Sequence, residues 1–104
     1  MIRQFDVIAN PLRMSRDEQP FLINVQHDFF RDNGKRVLVP LVASEAIRSI
    51  PRLNPTFHID GKRLYLMPNN LLTLPANRLG KVIANLEQYR DQIIAALDLV
   101  FTGV

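Results

Sequence analysis

Few side chains in this sequence are able to do acid–base or nucleophilic chemistry. There are two histidines, His27 and His58, and no cysteine. A zinc site needs three or four N, S or O ligands, and two imidazoles without a thiolate do not supply them. His58 lies between Phe57 and Ile59 in a strand-like stretch and reads as structural or solvated. His27-Asp28 has the look of a base with its orienting carboxylate, but neighbours in a strand point to opposite faces, so an extended segment would hold them apart. Ser15 and Ser44 have no activating group beside them. The four glycines, at 34, 61, 80 and 103, are isolated. No nucleophile elbow, P-loop or dinucleotide fingerprint occurs. No cofactor and no metal are expected, and a binding module is favoured over an enzyme.

Charge points the same way. Lys and Arg number 13 against 10 Asp and Glu, a formal charge of +3. That excess suits an acidic partner but is too scattered to indicate nucleic-acid binding by itself. Arg13 and Arg16, with Arg3, form a loose basic group, diluted by Asp17 and Glu18; solvated loop charges are the plainer reading. No apolar run reaches the roughly 18–20 residues of a membrane span, and Met1–Asp6 has no signal-peptide core. With no cysteine, a cytoplasmic protein is expected.

The elements that must position these residues are mostly strands. At 104 residues, one domain is expected. Phe5, Val7 and Ala9 alternate with Gln4, Asp6 and Ile8, which predicts a strand with one buried face. Asn10 to Pro20 is polar and proline-bounded, hence a loop or a loose hairpin. Phe21–Val25 is a second strand. Asp32-Asn33-Gly34-Lys35 predicts a tight type I′ turn into a third, Arg36–Val42, which Pro40 should end, bulge or place at an edge. Ser44–Ile50 is read as a turn or two of helix or an irregular excursion. Asp60-Gly61 should join Phe57–Ile59 to Arg63–Met67 in another hairpin. Leu71–Leu74 reads as the last strand.

The period then changes. Leu86, Tyr89, Ile93, Leu97 and Val100, widened by Ile94 and Phe101, mark one face of a helix from about Leu86 to Phe101. Asn85 with Gln88 would cap its start and Gly103 its end. Strands first and one helix last means α+β or mainly β.

Two apolar features call for a partner. Phe29-Phe30 cannot both enter one core if the segment is extended. Leu99-Val100-Phe101 makes the helix end apolar all round, which a chain short of core should cover, so a dimer seam is expected there.

Several patterns then coincide in order: Val25-Gln26-His27-Asp28, Arg36 to Leu41 with Pro40, Asn54-Pro55, His58-Ile59-Asp60, Leu66-Met67, Pro75, the helix run Ile93 to Asp98, and Gly103-Val104. Over nearly the whole chain this order resembles the CcdB toxins of bacterial toxin–antitoxin modules. The resemblance implies an SH3-like barrel of antiparallel strands, a five-stranded sheet and a smaller one, with one C-terminal helix. It implies a homodimer with helix ends along its seam, and a toxin that traps the DNA gyrase A subunit on cleaved DNA, an enzyme inhibitor and not itself an enzyme. A disordered, acidic CcdA-like antitoxin would neutralise it, and operator DNA would be bound only through that antitoxin, in plasmid maintenance and transcription regulation. The gyrase-binding residues carried over are Phe29, Phe30, Asp98, Phe101, Thr102, Gly103 and Val104. Arg13 and Arg16 are the expected antitoxin contacts. One position departs from the family tail, which typically reads aromatic-Trp-Gly-Ile: here Thr102 stands in place of Trp. Asp98 likewise replaces a family Asn. Two alternatives stay open: a non-poisoning relative that dimerises and binds an antitoxin, and an endoribonuclease like the MazF toxins, which share the barrel.

Overall fold

In the computed structural model, which describes residues 1–43 and 48–104, the apolar runs explain the architecture. Seven antiparallel strands are described: β1 (Asp6–Ala9), β2 (Phe21–Asn24), β3 (Lys35–Val42), β4 (Thr56–Ile59), β5 (Lys62–Leu66), β6 (Leu72–Pro75) and β7 (Val82–Asn85). A helix, α1 (Arg90–Thr102), follows. The strand order is β4-β5-β3-β2-β1-β7, with β6 also on β3. The curled sheet with one C-terminal helix is the mainly β, α+β barrel architecture expected. Its larger and smaller parts form one sheet that forks at β3. Residues Lys35 to Leu38 pair with β6, and Leu41 and Val42 with β5.

Both faces of the sheet are buried, so period-two alternation is masked. Val7, Phe21, Ile23, Val39 and Leu41 enter the larger core with Phe57, Leu64 and Leu66. Their neighbours Ile8, Leu22 and Leu38 enter a second core with Leu74, flanked by Ile2, Leu12 and Leu79. Strands covered on both sides read as continuous apolar runs. The single buried face expected for β1 is therefore corrected: Val7 and Ile8 are each fully buried. Phe5 lies just before the strand at φ 69°, a strained conformation for a bulky residue. Its backbone is held at both ends, by N–H donation to Asn24 and by acceptance from Leu86.

Pro40 does not end its strand. It pairs opposite Leu22 inside β3. Its carbonyl accepts from the Met67 amide at 3.0 Å. A strand residue's N and O point to the same side, so the missing N–H falls where β3 changes from β6 to β5, and no ladder bond is lost.

Asp60-Gly61 forms the expected turn, with φ of 54° and 75° and Ile59 opposite Lys62. Asn33-Gly34 does not. Gly34 lacks positive φ, and β2 and β3 are joined through a 3-10 turn, Asp28–Phe30. Asn33 instead accepts the Lys35 amide on its side chain, at 3.2 Å. Of the expected Ser44–Ile50 turn, residues 44–47 lie outside those described, and Arg48–Ile50 have no regular structure.

Leu71–Leu74 is not the last strand: β7 follows, against β1. Val7 pairs with Ala84 and Ile8 with Val82, leaving Ile83 as the extra residue of a bulge. A bulge twists an exposed edge away from further pairing. The helix begins later than expected. A 3-10 turn covers Glu87–Tyr89, and the Asn85 side chain caps that turn by accepting the Glu87 amide at 2.8 Å. The start of α1 has no side-chain cap. Ile93 and Ala96 are its deepest residues, with Ile94 and Leu97 beside them. Ala96 was not in the expected stripe, yet it is fully buried in the larger core.

Candidate protein-interaction site

The first apolar surface is the turn at Asp28–Phe30. Phe29 is 80% exposed and Phe30 53%, and their rings pack edge to face, centroids 5.1 Å apart. Both rings are outside the core, where at least one was expected to be. His27 does not lie in a strand, contrary to expectation; it caps the turn, and its Nδ1 accepts the Phe29 amide at 2.9 Å. Asp28 turns away from it and accepts the Gln4 amide at 2.8 Å. The pair is thus a structural brace and not a base with its orienter. Gln26 Nε2 donates to the Phe30 carbonyl at 3.1 Å.

The second surface is the end of α1. Gly103 takes the left-handed conformation, φ 77°, and its amide donates to the Leu99 carbonyl. That cap directs Val104 off the helix. Phe101 and Val104 are 66% and 78% exposed, and Asp98, Thr102 and Gly103 are exposed beside them. Leu99 and Val100 are half-buried. The last turn carries no basic residue, so Asp98 adds its negative charge to the negative end of the helix dipole. A partner cation would be drawn there. The elements that α1 chiefly packs on are the turns at Pro68–Asn70 and Glu87–Tyr89. Of the seven carried-over residues, Phe29 and Phe30 lie on the Asp28–Phe30 turn and the other five on α1 and the tail that follows it.

The loop between β1 and β2 is more ordered than its composition suggests. Asn10, 1% exposed, accepts the Leu12 amide and donates to Ser15 Oγ and to the Gln19 carbonyl. Ser15 is thereby engaged in holding the loop. Arg16 Nε donates to the Asn10 carbonyl at 2.9 Å, and its guanidinium also reaches the Pro11 carbonyl. Arg13 stands exposed beside it. Both arginines are exposed, and Arg16 in addition latches the loop.

His58 is exposed at the rim of a cleft of about 350 Å³ where β4 and β7 face each other across the open side of the barrel, with Ala9, Phe21, Ile59, Asp60, Ile83 and Ala84. No acid or base stands with it other than Asp60. Ser44 lies outside the described residues. Among the described residues no group of three or more His, Cys, Asp or Glu could hold a metal, and no helix is long and apolar enough to cross a membrane.

Sequence reasoning gave no anchoring role to several buried polar residues, Asn54 and Arg36 among them. Asn54, 5% exposed, donates to the Leu66 carbonyl and accepts the Ile50 amide. Arg36, 3% exposed, sits at the base of the Phe29-Phe30 turn. Nothing in their sequence neighbourhoods marks either, since their partners are main-chain carbonyls and amides.

Against known families, the model described as CcdB protein matches residues 4–103. The match runs from the segment before β1 through the helix and its glycine cap, so the Phe29-Phe30 turn, the braced loop and the helix end as far as Gly103 fall inside it. The proteins of this family are toxins of toxin–antitoxin modules and not enzymes themselves. This chain belongs to the CcdB family.

Proposed function

We propose that this chain is the toxin of a type II toxin–antitoxin module and acts by binding the DNA gyrase A subunit and holding the gyrase–DNA complex in its cleaved state. The observation that carries the reading is the exposed Phe101-Thr102-Gly103-Val104 tail, turned outward by the left-handed Gly103 cap at the end of a helix otherwise anchored by Ile93 and Ala96. An anchored helix presenting a short apolar end loses little conformational freedom on docking. Phe29 and Phe30 supply further aromatic area of the kind that dominates interface energetics. Two protomers would pair along the helix ends, and an acidic, disordered antitoxin would be steered to the Arg13 side of the β1–β2 loop and bring the complex to operator DNA. The expected location is the cytoplasm, where gyrase is.

The test is titration calorimetry against the gyrase A-subunit core fragment, paired with expression in a gyrase-sensitive bacterium and in a gyrase-resistant strain. Binding together with killing of the sensitive strain alone supports the reading. Absence of both removes it.

Thr102 favours a second reading, a relative that dimerises and binds an antitoxin without poisoning gyrase. Threonine offers neither the ring face nor the apolar area of the family's tryptophan. Antitoxin binding without killing would select this reading. Cleavage of a defined transcript would select the ribonuclease alternative, which no specific contact favours.

A further inference from the structure

Arg36 is the one buried arginine of the described residues. A guanidinium keeps its charge at any ordinary pH and offers five N–H donors, so burying it demands partners. Its partners here are all main-chain carbonyls. NH1 donates to Asn33 at 2.6 Å and Lys35 at 2.9 Å, and NH2 to Arg31 at 2.8 Å. Among the described residues no carboxylate lies within ion-pair distance of it. The guanidinium therefore ties together the chain that leaves the Asp28–Phe30 turn. That turn is also closed by amides from Phe30 to His27, Arg31 to Asp28 and Asn33 to Phe30.

The location within the fold makes this a rigid tie. Arg36 lies on β3 opposite Leu74, on the sheet face shared with Leu38 and the second core. Its stem is thus rooted in packed sheet while its head reaches the exit of the loop. On the entry side, Gln26 holds the Phe30 carbonyl and His27 the Phe29 amide. Without these ties two exposed aromatic residues would more readily turn inward or collapse onto the sheet, because solvent gives no reason to hold them out.

We propose that Arg36 is the positioning residue of the Phe29-Phe30 surface: it uses a buried charge on three carbonyls to hold both rings outward in a preformed geometry for a protein partner. The partner's identity rests on the gyrase reading above; the positioning itself does not.

The experiment compares the parent with Arg36→Met, which keeps the stem and removes the donors, and with Arg36→Lys, which keeps the charge but cannot span three carbonyls. Amide hydrogen exchange on the free protein reads the turn directly. Exchange at Phe30, Arg31 and Asn33 should quicken by about tenfold or more in both variants, while the Leu22, Ile23 and Val39 amides hold their parent rates. Affinity for the gyrase A core fragment should fall about tenfold in Arg36→Met. That loss should vanish when Phe29→Ala and Phe30→Ala are already present, since a residue acting through those rings has nothing left to position. Parent-like exchange at the turn overturns the proposal. So does an additive cycle, which would make Arg36 merely structural. If Arg36→Met does not fold, Arg36→Lys and the exchange measurement decide alone. If the parent itself fails to bind the gyrase fragment, the gyrase reading falls while the exchange result still judges the positioning.

Discussion

The Thr102 hydroxyl donates to the Asp98 carbonyl at 2.6 Å, one turn back along α1, and its oxygen accepts the Val104 amide at 3.3 Å. The side chain that replaces the family's tryptophan is therefore spent on its own helix end. It makes the back-bond of a threonine to the carbonyl four residues earlier and turns no apolar surface toward a partner.

Thr102→Trp should strengthen gyrase binding. A docked indole covers on the order of 150 Å² of apolar area, roughly 3–4 kcal/mol at about 25 cal/mol per Å². Ordering and desolvation costs could halve that, leaving at least about a tenfold gain in affinity. The lost Thr102–Asp98 bond lies in solvent and subtracts little. Calorimetry with the gyrase A core fragment, alongside a killing assay, checks it. Binding no better than the parent would mean that the tail docks differently from the family's, and the non-poisoning reading would lead.

Charge reversal at Arg13 should slow antitoxin association and reduce its salt dependence, because an acidic disordered chain is steered by exposed charge. Arg13 is the cleaner position to alter. Arg16 latches the loop through the Asn10 and Pro11 carbonyls, so changing it moves the loop as well as the charge. Stopped-flow association of Arg13→Glu at two salt concentrations is the measurement. An unchanged rate and an unchanged salt slope would take the loop out of the antitoxin site.

Asn54→Leu should lower stability by about 2 kcal/mol, since the similar volume is kept while the Leu66 carbonyl and the Ile50 amide lose their partner. For a domain of this size that corresponds to a Tm lower by roughly 8–16 °C, compared at one protein concentration because pairing shifts Tm by mass action. Scanning calorimetry reads it directly. A shift of only a degree or two would show that water replaces the side chain.

What was legible in the sequence and what was not divides along a physical line. Asp60-Gly61 could be read because the turn needs positive φ at both residues and nothing distant alters that. The tail cap at Gly103 could be read for the same reason. Asn33-Gly34 carried the same local signal and misled, because His27, Gln26 and Arg36 fix a 3-10 turn just before it through bonds that sequence spacing does not reveal. Pro40 misled because its tolerance depends on where β3 exchanges partners. β7 escaped notice because Val82-Ile83-Ala84 is short and bulged, and its pairing with β1 joins residues almost at opposite ends of the chain. Among the candidate site residues, Phe29, Phe30 and Phe101 stood out as apolar side chains without a core to enter. Arg36 did not, since charged residues are ordinarily surface residues.

The chain should pair in solution through the end of α1. Leu99 and Val100 are only half-buried by their own chain, and Phe101 and Val104 lie further out with most of their surface open to water. A continuous apolar end of this kind on a small domain is stabilised by cover. A two-fold pairing covers Leu99 and Val100 on both protomers at once and leaves the tail beyond them at the edge of the seam for a partner. Light scattering at micromolar concentration should give about twice the 12.0 kDa chain mass. Leu99→Asp should shift that toward the single-chain mass, because a carboxylate without a partner in an apolar seam is costly to desolvate. The Gly103 cap uses only the Leu99 carbonyl, so the substitution leaves it in place, and α1 stays anchored through Ile93 and Ala96. Far-UV circular dichroism should therefore remain that of the parent. A parent that runs as a folded monomer at that concentration would remove the seam, and a Leu99→Asp dimer would move it to another face.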